Sequence, residues 1–90
     1  MQSVHIIISG DVQGVGFRAW VVRHAQELGV SGWVKNRGDG AVEVVAEGIR
    51  KDLEELVKRC RSGPDVAWVE NVDARWEDAE GKYGAFDVVY

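Results

Sequence analysis

In the first third of the chain the spacing of apolar residues changes at a glycine-rich segment. Residues 4–9 (Val-His-Ile-Ile-Ile-Ser) are mostly apolar and β-branched, which predicts a central strand. From Phe17 the apolar positions recur at helical spacing through Leu28, and Gly29 follows as a residue suited to end a helix. The sequence therefore predicts a strand, a loop and an amphipathic helix in that order.

Two short segments of strand-like composition come next, and a turn separates them. They cover residues 30–36 and residues 41–47. The intervening residues 37–40 (Arg-Gly-Asp-Gly) include two glycines, which can adopt the positive φ angles of a tight turn. Because so short a connection joins antiparallel neighbours, we expect the two strands to pair as a hairpin.

The rest of the chain repeats the order of helix and strand. Apolar residues at helical spacing lie among charged ones over 49–60, which predicts a second amphipathic helix. Gly63-Pro64 ends that helix. Residues 67–76 predict a fourth strand, and residues 86–90 (Phe-Asp-Val-Val-Tyr) a short last one.

The element order is therefore β-α-β-β-α-β followed by a short C-terminal strand. Two βαβ units joined by a hairpin are typical of the ferredoxin-like α/β sandwich, in the α+β class. Since each crossover is right-handed, we expect both helices on one face of an antiparallel sheet. Ninety residues leave room for one domain, so we interpret residues 1–90 as a single domain.

Composition and charge exclude several classes of function. The chain has 11 basic and 15 acidic residues, a formal net charge of −4, which argues against nucleic acid as a partner. It begins with no basic segment followed by a long apolar run, and no apolar stretch approaches the roughly 20 residues of a membrane span. We therefore expect a cytoplasmic monomer with no membrane contact.

Cysteine and histidine usage gives no sign of a disulfide or a metal. The single cysteine, Cys60, falls on the apolar side of the second predicted helix, so we expect it in the core. His5 and His24 lie on different predicted elements, with no cluster of other ligand residues beside them. No metal site is predicted.

The glycine-rich segment between the first strand and the first helix carries the candidate chemistry. Residues 10–18 read Gly-Asp-Val-Gln-Gly-Val-Gly-Phe-Arg. Three glycines allow the backbone to curl so that successive N–H groups converge, and the first helical turn adds unpaired N–H donors. Such a loop can bind an anion of phosphate size, and the planar guanidinium of Arg18 can bind two oxygens of one phosphate.

Two other glycine motifs need to be compared with this segment. No Gly-Lys-Ser/Thr follows the turn, so it is not a Walker A loop. Gly14, Gly16 and Ala19 loosely fit the Gly-x-Gly-x-x-Ala pattern of dinucleotide-binding domains. The chain is too short for a doubly wound domain, however, and the next strand turns back as a hairpin.

Several blocks of this sequence resemble those of the acylphosphatase family. Residues 12–18 (Val-Gln-Gly-Val-Gly-Phe-Arg) are similar to the family signature. Residues 32–36 (Gly-Trp-Val-Lys-Asn), followed by Asp-Gly at 39–40, resemble its second motif. Gly-Pro at 63–64 and Phe-Asp-Val at 86–88 resemble its later blocks. The resemblance covers essentially the whole chain, with the blocks in the family order.

The resemblance implies a hydrolase that cleaves the carboxyl–phosphate bond of acyl phosphates, with no metal or other cofactor and with a small molecule as its partner. By this resemblance, Arg18 binds the phosphate and Asn36 orients the attacking water. The phosphate-binding loop then contributes backbone N–H groups from Gln13, Gly14, Val15, Gly16, Phe17 and Arg18.

One departure from the family pattern that bears on substrate capture, and one alternative function, remain open at this point. Position 11 is often basic in the family and is Asp11 here, which is expected to weaken the capture of an anionic substrate. Because ferredoxin-like domains host many functions, a non-catalytic module that binds acyl phosphate or carbamoyl phosphate is the alternative. An RNA-binding version is disfavoured, because residues 41–47 contain two glutamates and no aromatic residue.

Overall fold

A computed structural model describes residues 1–90 as a five-stranded sheet with two helices. Every predicted helix and strand is present, and each end lies within two residues of its predicted position. The elements in chain order are β1 (Gln2–Asp11), α1 (Phe17–Leu28), β2 (Ser31–Asn36), β3 (Val42–Gly48), α2 (Arg50–Ser62), β4 (Trp68–Asp78) and β5 (Phe86–Val88).

The sheet has the strand order β4-β1-β3-β2-β5. The first four strands form three antiparallel pairs, β1 with β3, β1 with β4 and β2 with β3, as predicted for a ferredoxin-like sheet. The prediction of an antiparallel sheet is wrong for β5. This strand pairs with β2 in parallel, with Gly32 opposite Phe86. The reason is topological: residues 79–85 cross from one edge of the sheet to the other, and β5 then runs in the same direction as β2.

Alternate residues of the sheet form one hydrophobic core with both helices. Val4, Ile6 and Ile8 of β1 are fully buried, whereas the intervening His5 and Ile7 are not. The helices contribute buried residues at helical spacing, namely Phe17, Val21, Ala25, Leu53, Leu56, Val57 and Cys60. Cys60 is in the core as predicted, and burial raises the pKa of its thiol to about 12.

A buried carboxylate fixes the segment that crosses between β4 and β5. Glu47, at the end of β3, accepts hydrogen bonds from the backbone N–H groups of Lys82 (2.7 Å) and Tyr83 (3.2 Å). The Trp33 indole also donates to the Tyr83 hydroxyl at 3.3 Å. These contacts hold the crossing segment against the sheet and thereby set where β5 and the C-terminus lie. No helix in the structure has the length and apolar character to cross a membrane.

A partly buried polar cluster joins the two helices. Arg59 of α2 lies 3.0 Å from Glu27 and 3.0 Å from Nδ1 of His24, both on α1. The His24 ring is 4.1 Å from the centre of the Trp20 ring. Burial, and then the positive charge of Arg59, lower the pKa of His24 below its ordinary value, whereas Glu27 acts in the opposite direction. Neutral His24 therefore suits the folded state.

This cluster predicts a pH dependence of stability. Since the unfolded chain protonates His24 more readily, stability should fall as the pH drops through the ordinary histidine range towards the lowered pKa. Urea unfolding measured from about pH 8 to about pH 5 should show this loss. The His24→Gln variant should lose less over the same range; an identical loss in both proteins would show that His24 does not contribute.

Candidate active site

A small cleft opens where the carboxyl ends of β1 and β2 meet the first turn of α1. Its volume is about 190 Å³, which suits a small ligand better than a drug-sized one. Arg18 and Asn36, which the sequence analysis selected from separate motifs, both face it. The residues that line the cleft are Val12, Gly14, Gly16, Phe17, Arg18, Ala19, Asn36, Val88 and Tyr90.

The loop that forms one wall of the cleft depends on two glycines in the left-handed region. Gly14 has a φ of 74° and Gly16 a φ of 78°. A Cβ at either position would meet no atom within 4 Å, so the backbone angle and not the available space requires glycine there. Gly16 is also the residue that precedes α1.

The N–H groups of this loop have no partner in the rest of the backbone. Outside the helices and strands, no backbone hydrogen bond is donated by any of residues 13–18, and the first bond into α1 runs from Trp20 N–H to the Gly16 carbonyl at 3.1 Å. α1 also begins without a side-chain cap and without an acidic residue in its first turn. Its N-terminal donors and the positive end of its dipole therefore remain available beside the cleft.

Arg18 is the cationic side chain of the cleft. It is half-buried, and it forms none of the ion pairs with carboxylates that occupy arginines elsewhere in the protein. Its guanidinium carbon lies 5.1 Å from the centre of the Tyr90 ring, which is a cation–π contact. The guanidinium donors are therefore free for an anionic ligand.

Asn36 ends β2 on the other side of the cleft, where it pairs with Val42 of β3. Its carboxamide takes part in no side-chain hydrogen bond within the protein. The side chain can accordingly accept a hydrogen bond from one ligand and donate to another.

Two of the predicted loop residues do not line the cleft. The Gln13 side chain is directed instead to the turn between β2 and β3, where Nε2 donates to the carbonyl oxygens of Arg37 (2.8 Å) and Ala41 (3.0 Å). Val15 packs against the hydrophobic core. Asp11, the departure from the family pattern, is exposed and does not line the cleft either.

Four residues that line the cleft were not among the predicted site residues, namely Val12, Ala19, Val88 and Tyr90. Val12 and Ala19 adjoin the predicted loop, whereas Val88 and Tyr90 come from the far end of the chain. Both reach the cleft because β5 lies parallel to β2, and no local pattern in the sequence reports that pairing. The one available signal was an aromatic residue just beyond the last strand.

Charge distinguishes this cleft from a larger one at the opposite end of the sheet. That cavity has a volume of about 540 Å³, but against the single cation of Lys82 it is lined by four carboxylates, those of Glu47, Glu77, Asp78 and Glu80. They would repel an anion, whereas the smaller cleft offers a guanidinium and unpartnered N–H groups. Nowhere in residues 1–90 do three His, Cys, Asp or Glu side chains group so that they could hold a metal ion.

The fold and this cleft define a class: a small ferredoxin-like α+β protein with a glycine-rich loop of unpartnered N–H groups between its first strand and first helix. The acylphosphatase family model matches residues 4–88, and the chain belongs to that family. It is 49% identical over 90 residues to an acylphosphatase of Roseiflexus sp. strain RS-1, covering 100% of this chain and 97% of the relative. To an acylphosphatase of Chloroflexus aurantiacus it is 49% identical over 86 residues, covering 96% and 94%.

A solved structure agrees with the sequence relatives. The crystal structure of acylphosphatase from Bacillus subtilis superposes with a TM-score of 0.96 at 37% sequence identity and covers 100% of both chains. The predicted fold class and the predicted family are thus confirmed.

The loop geometry predicts the effect of a single methyl group. Gly16→Ala should lower the free energy of unfolding by about 1 to 2 kcal/mol, because a residue with a Cβ disfavours the left-handed region. Gly38→Ala is the matched control, since Gly38 has no positive φ and its Cβ would meet open space. Urea unfolding of the two variants tests this, and equal stabilities would refute the left-handed conformation of Gly16.

Proposed function

We propose that this member of the acylphosphatase family hydrolyses the carboxyl–phosphate bond of acyl phosphates in the cleft beside Arg18. The observation that carries the proposal is the row of unpartnered backbone N–H groups at residues 13–18 next to an arginine without a carboxylate partner. Together they offer a concave set of donors to a phosphate group.

An acyl phosphate substrate needs no general acid to protonate its leaving group. The departing carboxylate has a conjugate-acid pKa of about 4, so it leaves without protonation near neutral pH. The remaining work is to position the reactants and to stabilise charge on the phosphoryl oxygens. This fits a cleft whose polar side chains are one guanidinium, one carboxamide and the phenol of Tyr90, with no carboxylate or imidazole among them.

Arg18 and the loop perform the electrostatic part of the proposed reaction. The guanidinium donates two parallel hydrogen bonds to phosphate oxygens, and the N–H groups of Gln13 through Arg18 surround the others. Because these donors are fixed by the fold, no solvent has to reorganise as charge develops on the phosphoryl group.

Asn36 performs the positioning part. Its carbonyl oxygen accepts a hydrogen bond from a water molecule and directs the water lone pair at phosphorus. The water oxygen forms a bond to phosphorus, the bond from phosphorus to the acyl oxygen breaks, and its electron pair leaves with the carboxylate. Since a carboxamide is a poor base, the water proton passes to a phosphate oxygen. No metal or other cofactor takes part in this scheme.

We also propose that residues 1–90 act as a single domain, a cytoplasmic monomer with no nucleic-acid partner. The net charge of −4 supports the last point. The one cysteine, Cys60, is a buried free thiol, which suits a reducing compartment.

A phosphate-release assay tests the proposed activity. Acetyl phosphate and benzoyl phosphate should be hydrolysed, and p-nitrophenyl phosphate, an ester with a poorer leaving group, should react far more slowly. Excess EDTA should leave the rate unchanged, because the scheme uses no metal. Binding of benzoyl phosphate without turnover would instead favour the non-catalytic module, and strong inhibition by EDTA would refute the metal-free scheme.

Arg18→Ala should lower kcat/KM for benzoyl phosphate by at least about a hundredfold, because it removes the charged donor of the phosphoryl group. Arg23→Ala is the matched control: Arg23 is exposed on the same helix and does not line the cleft. It should keep the parental activity. If both variants lose activity to the same degree, Arg18 has no special role.

A further inference from the structure

The proposed reaction needs groups from two strands that are not neighbours in the sheet. The loop and Arg18 follow β1, Asn36 ends β2, and β3 lies between these strands. Adjacent strands are about 4.8 Å apart, so β1 and β2 are separated by roughly 10 Å. No hydrogen bond of the sheet joins β1 to β2 directly, so the sheet relates the loop to Asn36 only through β3. A direct contact between the loop and the end of β2 would fix the two more closely.

The side chain of Gln13 supplies that contact. It lies between buried Val12 and the left-handed Gly14, at the start of the loop. Both hydrogens of its carboxamide are used, one on the Arg37 carbonyl and one on the Ala41 carbonyl, at 2.8 Å and 3.0 Å. These two carbonyls flank the turn after β2, and one of them belongs to the residue directly after Asn36.

We propose that Gln13 is a positioning residue that sets the distance between the phosphate-binding loop and Asn36. The inference rests on the proposed function of the cleft, and the role belongs to the side chain of Gln13, whereas the backbone N–H of the same residue belongs to the proposed phosphate-binding loop. Through this clamp the phosphate held by the loop and the water held by Asn36 keep a fixed separation. Displacements of even about 1 Å between reacting groups are costly to the rate of a positioned reaction.

The chemistry of the contact requires glutamine. A carboxamide supplies two N–H donors from one nitrogen, whereas an ionised glutamate only accepts hydrogen bonds and would repel both carbonyls. Asparagine, one methylene shorter, would not reach as far.

The turn itself does not depend on Gln13 for its shape. Arg37 N–H donates to the Ala41 carbonyl at 2.8 Å, and Gly40 N–H donates to the Arg37 carbonyl at 3.3 Å. Asp39 Oδ1 accepts from Ala41 N–H at 3.1 Å. Loss of the clamp should therefore leave the hairpin folded while the loop becomes free to shift relative to it.

Gln13→Met tests this role, because methionine has a similar length and no donor. With benzoyl phosphate as substrate, kcat should fall by about tenfold to a hundredfold. The inhibition constant of inorganic phosphate should stay within about threefold of the parental value, since the loop N–H groups and Arg18 remain. Gln26→Met is the matched control, because Gln26 is exposed on α1 and does not line the cleft. It should leave both constants unchanged.

A double-mutant cycle with Asn36→Ala separates positioning from a general structural role. Asn36→Ala alone should lower kcat, because the water is no longer held. In that background Gln13→Met should change kcat by less than about twofold, since the group whose position it governs is gone. Gln13→Asn gives the same test if Gln13→Met does not fold.

The outcomes distinguish the inference from the function on which it rests. A parental kcat in Gln13→Met, an equal loss of kcat in both backgrounds, or a raised phosphate inhibition constant with unchanged kcat would each overturn the positioning role while the proposed function stands. A parental protein that hydrolyses no acyl phosphate would overturn the proposed function and the positioning role with it.

Discussion

The placement of β3 between β1 and β2 is the constraint on which the candidate site depends. Hydrogen bonding within the sheet fixes β1 to β3 and β3 to β2, so the loop after β1 and the end of β2 face each other across the beginning of β3. The width of β3 separates the loop from the end of β2, and the cleft lies in this space. If β1 and β2 were adjacent, their ladder would leave no room for a ligand between Arg18 and Asn36.

The same sheet also separates charges within an acidic protein. Four carboxylates line the cavity at the end where β3 and β4 finish, whereas the candidate site lies at the other end of β1. β1 has 10 residues and spans about 30 Å, well beyond the screening length at physiological salt. The four carboxylates of that cavity are therefore too far away to oppose anion binding at the cleft, where Arg18 and unpartnered N–H groups lie.

Much of the fold could be predicted from the sequence because it is encoded locally. The spacing of apolar residues determined each helix and strand, and Cys60 was correctly placed in the core for the same reason. Arg18 and Asn36 were selected from short motifs, and the structure brings them to one cleft. Arg18 and the helices and strands needed only patterns of a few residues, whereas Asn36 was indicated only by the resemblance of residues 32–36 to a family motif.

Other features depend on contacts between distant parts of the chain and left no local trace. The parallel pairing of β5 follows from the route of residues 79–85, which Glu47 holds, and that route brings Tyr90 beside Arg18. The direction of the Gln13 side chain is another example, because its partners follow it by more than 20 residues in the sequence. No periodicity or composition reports such contacts.

The central claim is that one phosphate group is bound by the backbone N–H groups of residues 13–18 together with Arg18. A titration of the ¹⁵N-labelled protein with inorganic phosphate, monitored by the NMR chemical shifts of the amide groups, tests it directly. The account predicts saturable shifts that are largest at residues 13–18 and at the Arg18 side chain, and small at the acidic cavity around Glu47. Largest shifts elsewhere, or no saturable shift in the loop, would contradict it.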